Sequence, residues 1–132
     1  MGNVYSIYSS YDFDIVSKKI LSTSTDMDNI ILINTLPQNE QDCLIKTTIT
    51  ASKEADIING LLKTNCNKEI IIYGKNHRDV KVIPKYNQLK KLGFKNVHIY
   101  FGGMFEWLLL KEIYGDINFQ IDGKSNDILK YK

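Results

Sequence analysis

Apolar residues along this chain gather in short dense runs separated by longer stretches in which they recur every three or four positions. Ile30-Ile31-Leu32-Ile33 is a continuous run stopped by Asn34 and Pro37, the pattern of a strand covered on both faces. Glu69 to Tyr73 and Val97 to Phe101 repeat it. Between them, Ser52 followed by Ala55, Ile58, Leu61 and Leu62 predicts a helix capped by the serine. Val82 to Leu92 predicts a second helix, with Ile83, Tyr86 and Leu89 inward, Pro84 near its start and Gly93 as its stop. Met104 to Ile113, closed by Gly115, predicts a third, with Phe105, Trp107, Leu108, Leu109 and Tyr114 spread around most of its circumference.

The ends of the chain are less regular. Phe13, Val16 and Ile20 predict a short helix within Tyr5 to Leu21, followed by a polar loop through Ser22 and Asp26. Cys43 to Ile45 and Thr48-Ile49 are weaker β segments, and the polar residues from Asp116 onward predict a loose tail. Strands alternating with helices imply an α/β fold with a central, mostly parallel sheet and helices on both faces. The expected division is an N-terminal segment over 1–27, one domain over 28–115 and a C-terminal tail over 116–132.

Composition narrows the function classes. A chain of 132 residues supports one core and not two. A net charge of +2 with scattered lysines argues against nucleic acid as a partner. Two cysteines without a secretory leader fit a thiol-reducing, cytoplasmic compartment. Apolar runs fall short of the ~20 residues needed to cross a bilayer. Met1-Gly2-Asn3-Val4-Tyr5-Ser6 fits the pattern for myristoylation of Gly2 in a eukaryotic or viral host. One acyl chain with only Lys18 and Lys19 as a second signal supports weak, reversible membrane contact. Richness in Asn, Ile and Lys is compatible with an AT-rich genome.

The chemistry concentrates in Gly74-Lys75-Asn76-His77-Arg78-Asp79. A loop leading from a strand into a helix aims backbone N–H groups and the helix start at its ligand, and Lys75 and Arg78 add positive charge, so a small anion suits it. His77 with Asp79 forms a conceivable acid/base or phosphoryl-accepting pair; the plainer reading is Asp79 capping the following helix and His77 in solvent. Cys43 and Cys66 read as plain thiols before they read as nucleophiles, and His98 as a sheet-surface residue. Two histidines and two cysteines this far apart make no metal set, and no cofactor is indicated. Gly102-Gly103 permits a sharp strand-to-helix turn. Trp107 reads as buried, unless its helix leaves a face open to a partner.

Taken together, I-I-Y, the loop, L-K-K-L-G-F-K-N-V, a strand, and Gly102-Gly103 with Trp107 after them resemble the second half of a rhodanese-like (sulfurtransferase) domain. The likeness extends more weakly over Ile30–Leu36 and Cys43–Ile49, and in all from about Asp28 to Gly115. In active members, the resemblance implies, the loop opens on a cysteine in a pattern like C-x-x-G-x-R, and that cysteine carries sulfur as a persulfide. Here Gly74 stands at that place and Arg78 falls one position early. The loop pattern Y-G-x-N-x-x-D and the segment Gly102 to Gly115 also resemble a subset of the family, of the kind found in large DNA viruses and protists.

Two classes of function follow. One is a noncatalytic rhodanese-like module that binds a protein partner or a small anion at Gly74–Asp79. The other is an enzyme, either a sulfurtransferase using a relocated cysteine such as Cys43 or an anion-handling transferase or hydrolase using His77 and Asp79. Oligomeric state is left open.

Overall fold

A computed structural model describes residues 7–22, 30–125 and 127–132. Gly2 and most of the expected loop after the first helix lie outside them. The elements are α1 (Phe13–Ser22), β1 (Ile31–Asn34), β2 (Cys43–Ile45), β3 (Thr48–Ile49), α2 (Ala51–Thr64), β4 (Ile70–Tyr73), α3 (Val82–Leu92), β5 (Val97–Tyr100), α4 (Gly103–Tyr114) and β6 (Ile121–Gly123). Short 3-10 turns follow at Gln38–Glu40 and Ile128–Tyr131.

Four strands form a parallel sheet in the order β3-β1-β4-β5. Its strands send successive side chains to opposite faces, and both faces are covered, so nearly every position is apolar, with Asn34, Thr48 and His98 as the exceptions. On one face, Ile33, Ile70, Ile72, Val97 and Ile99 pack beneath Ile58 of α2 and Val82, Tyr86 and Leu89 of α3. On the other, Leu32, Ile71, Tyr73 and Tyr100 meet Val16 and Ile20 of α1 and Met104, Trp107 and Leu108 of α4. The α/β architecture therefore follows the expected grammar.

Helix starts depart from it in detail. α2 begins at Ala51, one residue before Ser52, and the side chain of its N-cap Thr50 accepts from no backbone N–H of the helix. Instead the Ala51 N–H donates to Gln41 Oε1 at 2.9 Å. Gln41 in turn exchanges amide hydrogen bonds with Asn34, at 3.0 and 2.9 Å, so a partly buried amide pair joins the end of β1 to the start of α2. α3 ends as expected, at Gly93 with φ of 117°. Among the described residues no helix is long and apolar enough to cross a membrane.

The C-terminal residues are not loose. β6 pairs antiparallel with β2, from Cys43 opposite Gly123 to Ile45 opposite Ile121. Phe119 and Tyr131 are buried in the α1/α4 core, and the Trp107 indole N–H donates to the Gln120 carbonyl at 3.0 Å. Polar composition hid this return because the segment contributes single aromatic anchors and no apolar run. The N-terminal residues before α1 also find a place. Ser9 to Tyr11 lie along the free edge of β5, where the Ile99 N–H donates to the Ser9 carbonyl and the Tyr11 N–H donates to the Ile99 carbonyl, both at 2.9 Å. Covering an edge in this way removes a template for pairing with other chains.

Candidate functional site

The loop after β4 sits at the carboxyl ends of the strands. From β1 the chain leaves toward β3, and from β4 toward β5, so the gap between β1 and β4 is the switch point at which open α/β sheets bind ligands. Thr35, just past β1, faces the Gly74–Asp79 loop across this gap.

The loop is held from three sides. Its own Asp79 carboxylate lies inside it: Oδ2 accepts from the Lys75 N–H at 2.9 Å and the Thr35 hydroxyl at 3.0 Å, while Oδ1 accepts from the Lys81 N–H at 2.9 Å. The start of α4 holds the second side, with the Met104 and Phe105 N–H groups donating to the Gly74 and Lys75 carbonyls at 3.0 and 2.9 Å. Asn76 holds the third, through Nδ2 to the Tyr131 carbonyl at 2.8 Å, and its Oδ1 accepts from the Arg78 N–H at 2.8 Å.

Several expected donors to an anion are thus already bonded to the chain itself. The N–H groups of Lys75 and Lys81 serve a carboxylate, an internal substitute for the anion the cradle was expected to hold. Asp79 caps the turn before α3 and not the helix itself, whose N-cap is Lys81. Its carboxylate is turned toward Thr35 and the backbone, whereas His77 and Arg78 are exposed and Lys75 is half-buried. The structure therefore does not assemble His77 and Asp79 into an acid/base pair. What sequence reasoning missed is Thr35, whose hydroxyl gains meaning only when β1 and β4 lie side by side.

Gly74 is buried, and a Cβ built on it would lie 2.7 Å from Asp79 Cγ and 2.8 Å from Asp79 Cβ. The space that a side chain at this position would occupy is filled by the aspartate. Of the two glycines after β5, only Gly103 has left-handed backbone, with φ of 69°; Gly102 has ordinary helical angles. A Cβ on Gly103 would come within 2.6 Å of the Gly74 carbonyl oxygen and 2.9 Å of the Asn76 nitrogen, so the turn lets α4 approach the loop closely.

Cys43 is the first residue of β2, fully buried in the α1/α4 core. Burial pushes its thiol up, and neighbouring Asp42 adds to the rise. A raised, enclosed thiol is a poor source of nucleophilic thiolate. Cys66 is half-buried in the turn after α2, with Sγ 3.5 Å from the Leu62 carbonyl. Neither belongs to the loop. His98 is more than a surface residue: Nδ1 lies 2.5 Å from Ser9 Oγ, Nε2 lies 2.5 Å from Asn96 Oδ1, and the ring stacks on Tyr11 at 4.1 Å. Tyr11 donates to Glu69 Oε2 at 2.6 Å, and Lys19 pairs with the same oxygen at 2.9 Å. This cluster fastens the N-terminal segment and stands at the sheet edge, apart from the loop. Trp107 is fully buried, while Leu109, Ile113 and Tyr114 leave an apolar face of α4 exposed.

Known proteins agree with this architecture. A rhodanese-like domain of an Anabaena protein superposes with a TM-score of 0.60 at 20% identity, covering 87% of this chain and 79% of that one. A Bacillus halodurans protein gives 0.63 at 18% identity, covering 89% and 79%. A Lactobacillus plantarum protein gives 0.61 at 11%, covering 87% and 88%. At these identities the likeness is one of fold. No curated protein matches. The family model for the rhodanese-like domain matches residues 19–110, well over half of the chain. By that match the chain belongs to the rhodanese-like domain family.

Proposed function

We propose that this chain is a noncatalytic rhodanese-like module that acts by binding, with the Gly74–Asp79 loop as its recognition surface. One observation carries the reading: the position from which a loop side chain would act is Gly74, and the Asp79 carboxylate fills the space beside it. A persulfide needs a sulfur nucleophile, which glycine lacks. The exposed His77 and Arg78 and the half-buried Lys75 favour an anionic ligand, met at the rim of the loop or in competition with Asp79 for the backbone N–H groups.

The opposing reading places a persulfide on Cys43. Its burial and raised thiol weigh against it. Incubation with thiosulfate, followed by intact-mass measurement and a cyanide assay, separates the two. The expected result is an unchanged mass and no thiocyanate. A sulfane adduct of about the mass of one sulfur, lost in Cys43→Ser, would overturn the noncatalytic reading.

A further inference from the structure

A groove of about 480 Å³ runs between α1 and the last turns of α4, at the opposite end of α4 from the Gly74–Asp79 loop. Phe13, Leu21, Leu110, Tyr114 and Phe119 line it. Phe119 is buried, with the Phe13 ring of α1 at 6.1 Å and the Tyr114 ring of α4 at 6.3 Å. The surface beside the groove is also apolar. Leu109 and Ile113 are one helical turn apart, as are Leu110 and Tyr114, so the four share one side of α4. Ile117 follows in the turn that leads to Phe119. Ile113 and Tyr114 are each 65% exposed and Ile117 is 77% exposed.

The extent of this face matters. With the exposed parts of Phe13, Leu21 and Leu109 added, and at roughly 200 Å² for a large side chain, it offers about 600 Å² of apolar surface, the upper end of what a monomer carries. A stable interface buries about 800 Å² on each partner, somewhat over half of it apolar, so this face with its polar rim is large enough for one.

Charge and shape indicate what covers it. The charged side chains lining the groove are Asp14 and Lys18, one of each sign, paired at 2.9 Å and largely exposed. An occupant of a single sign gains nothing from such a pair. A copy of the same face, turned by a two-fold axis, brings the two charges in reversed order and meets each with its opposite. Exposed pairs of this kind contribute little, so exchanging partners across an interface costs little. Protruding Ile113 and Ile117 beside a groove on one face suit the same symmetry, because each copy supplies both halves of the contact. A net charge of +2 gives weak self-repulsion.

We infer that the α1/α4 face is the interface of a two-fold homodimer, in which Ile113 and Ile117 of each protomer enter the groove between Phe13 and Tyr114 of its partner, and Asp14 of each meets Lys18 of the other. The inference is independent of the reading of the loop.

The full chain, kept reduced, is followed by sedimentation equilibrium from micromolar to millimolar concentration. The expected result is a reversible monomer–dimer equilibrium. The exposed substitution Ile113→Asp raises the dissociation constant at least about a hundredfold with the circular dichroism spectrum unchanged. Asp14→Lys and Lys18→Asp each raise it about tenfold, and the double swap Asp14→Lys/Lys18→Asp restores dimerisation. A mass of one chain at every concentration overturns the proposal. So does a dimer that survives both Ile113→Asp and Ile117→Asp, or a double swap that dimerises no better than the single ones. A chain that stays monomeric while its groove takes up an apolar dye, and loses that dye in Tyr114→Asp, overturns it in favour of a small apolar ligand.

Discussion

Asp79 decides the character of the loop. One carboxylate accepts from two backbone N–H groups and a hydroxyl, and all three donors lose their partner in Asp79→Ala. An unsatisfied, partly buried donor costs about 1–3 kcal/mol, so urea denaturation of Asp79→Ala is expected to show a loss of about that size. Gly74→Cys puts a cysteine where the resemblance implies one, beside a carboxylate that fills the space. Its Cβ would press on Asp79, so the variant is expected to be less stable and to form no persulfide. In Gly74→Cys/Asp79→Ala the clash with the carboxyl group is removed and only the contact with the Cβ is left, so the combined loss is expected to be smaller than the sum of the single losses; strict additivity in the denaturation midpoints would argue against the contact. The glycine was legible in the sequence. The role of Asp79 was not, because a helix-capping aspartate and an internal anion look alike until Thr35 is placed across the gap.

Among the elements, the N-terminal segment on β5 shows how a local pattern can be right and incomplete. Alternation predicted His98 on the sheet surface, yet Ser9 and Tyr11 cover it there. Burial holds the His98 imidazole below its ordinary value. The unfolded chain then takes up a proton first as pH falls, so the neutral ring's contribution is complete above the ordinary value of about 6.5 and is lost as pH drops through the depressed folded value. Glu69 acts in the same direction at lower pH. Burial alone would raise it, but hydrogen bonds from Tyr11 and Lys19 hold it below the usual carboxylate range. Thermal melts from pH 7.5 down to 5.5 are expected to show falling stability, with a shallower fall in His98→Gln; equal slopes in the two proteins would sink this account. The start of α4 makes a second prediction. Gly103→Ala adds a Cβ against the loop backbone at a left-handed position, and is expected to destabilise by at least about 1 kcal/mol in the same denaturation assay.

For the molecule as a whole, the core extends beyond the stretch that matches the family. That match ends at residue 110, but Phe119 and Tyr131 complete the α1/α4 side. Tyr131→Ala is expected to cost about 3 kcal/mol, as large-to-small changes of buried aromatics do, while Tyr131→Phe retains most of that. A chain cut after Gly115 is expected to lose its cooperative melt, and an unchanged melting curve would show that the C-terminal return is dispensable. By itself the sequence determined the alternation of strands and helices, the parallel sheet and the absence of cysteine from the Gly74–Asp79 loop, because continuous apolar runs, helical spacing and residue identity are local properties. Tertiary structure alone decided the rest. It set Asp79 in the cradle, paired β6 with β2, and fastened Ser9 and Tyr11 over His98. Each of these joins residues distant in the chain, and the energies that hold them depend on burial and on directional hydrogen bonds that exist only once the sheet has brought the partners together.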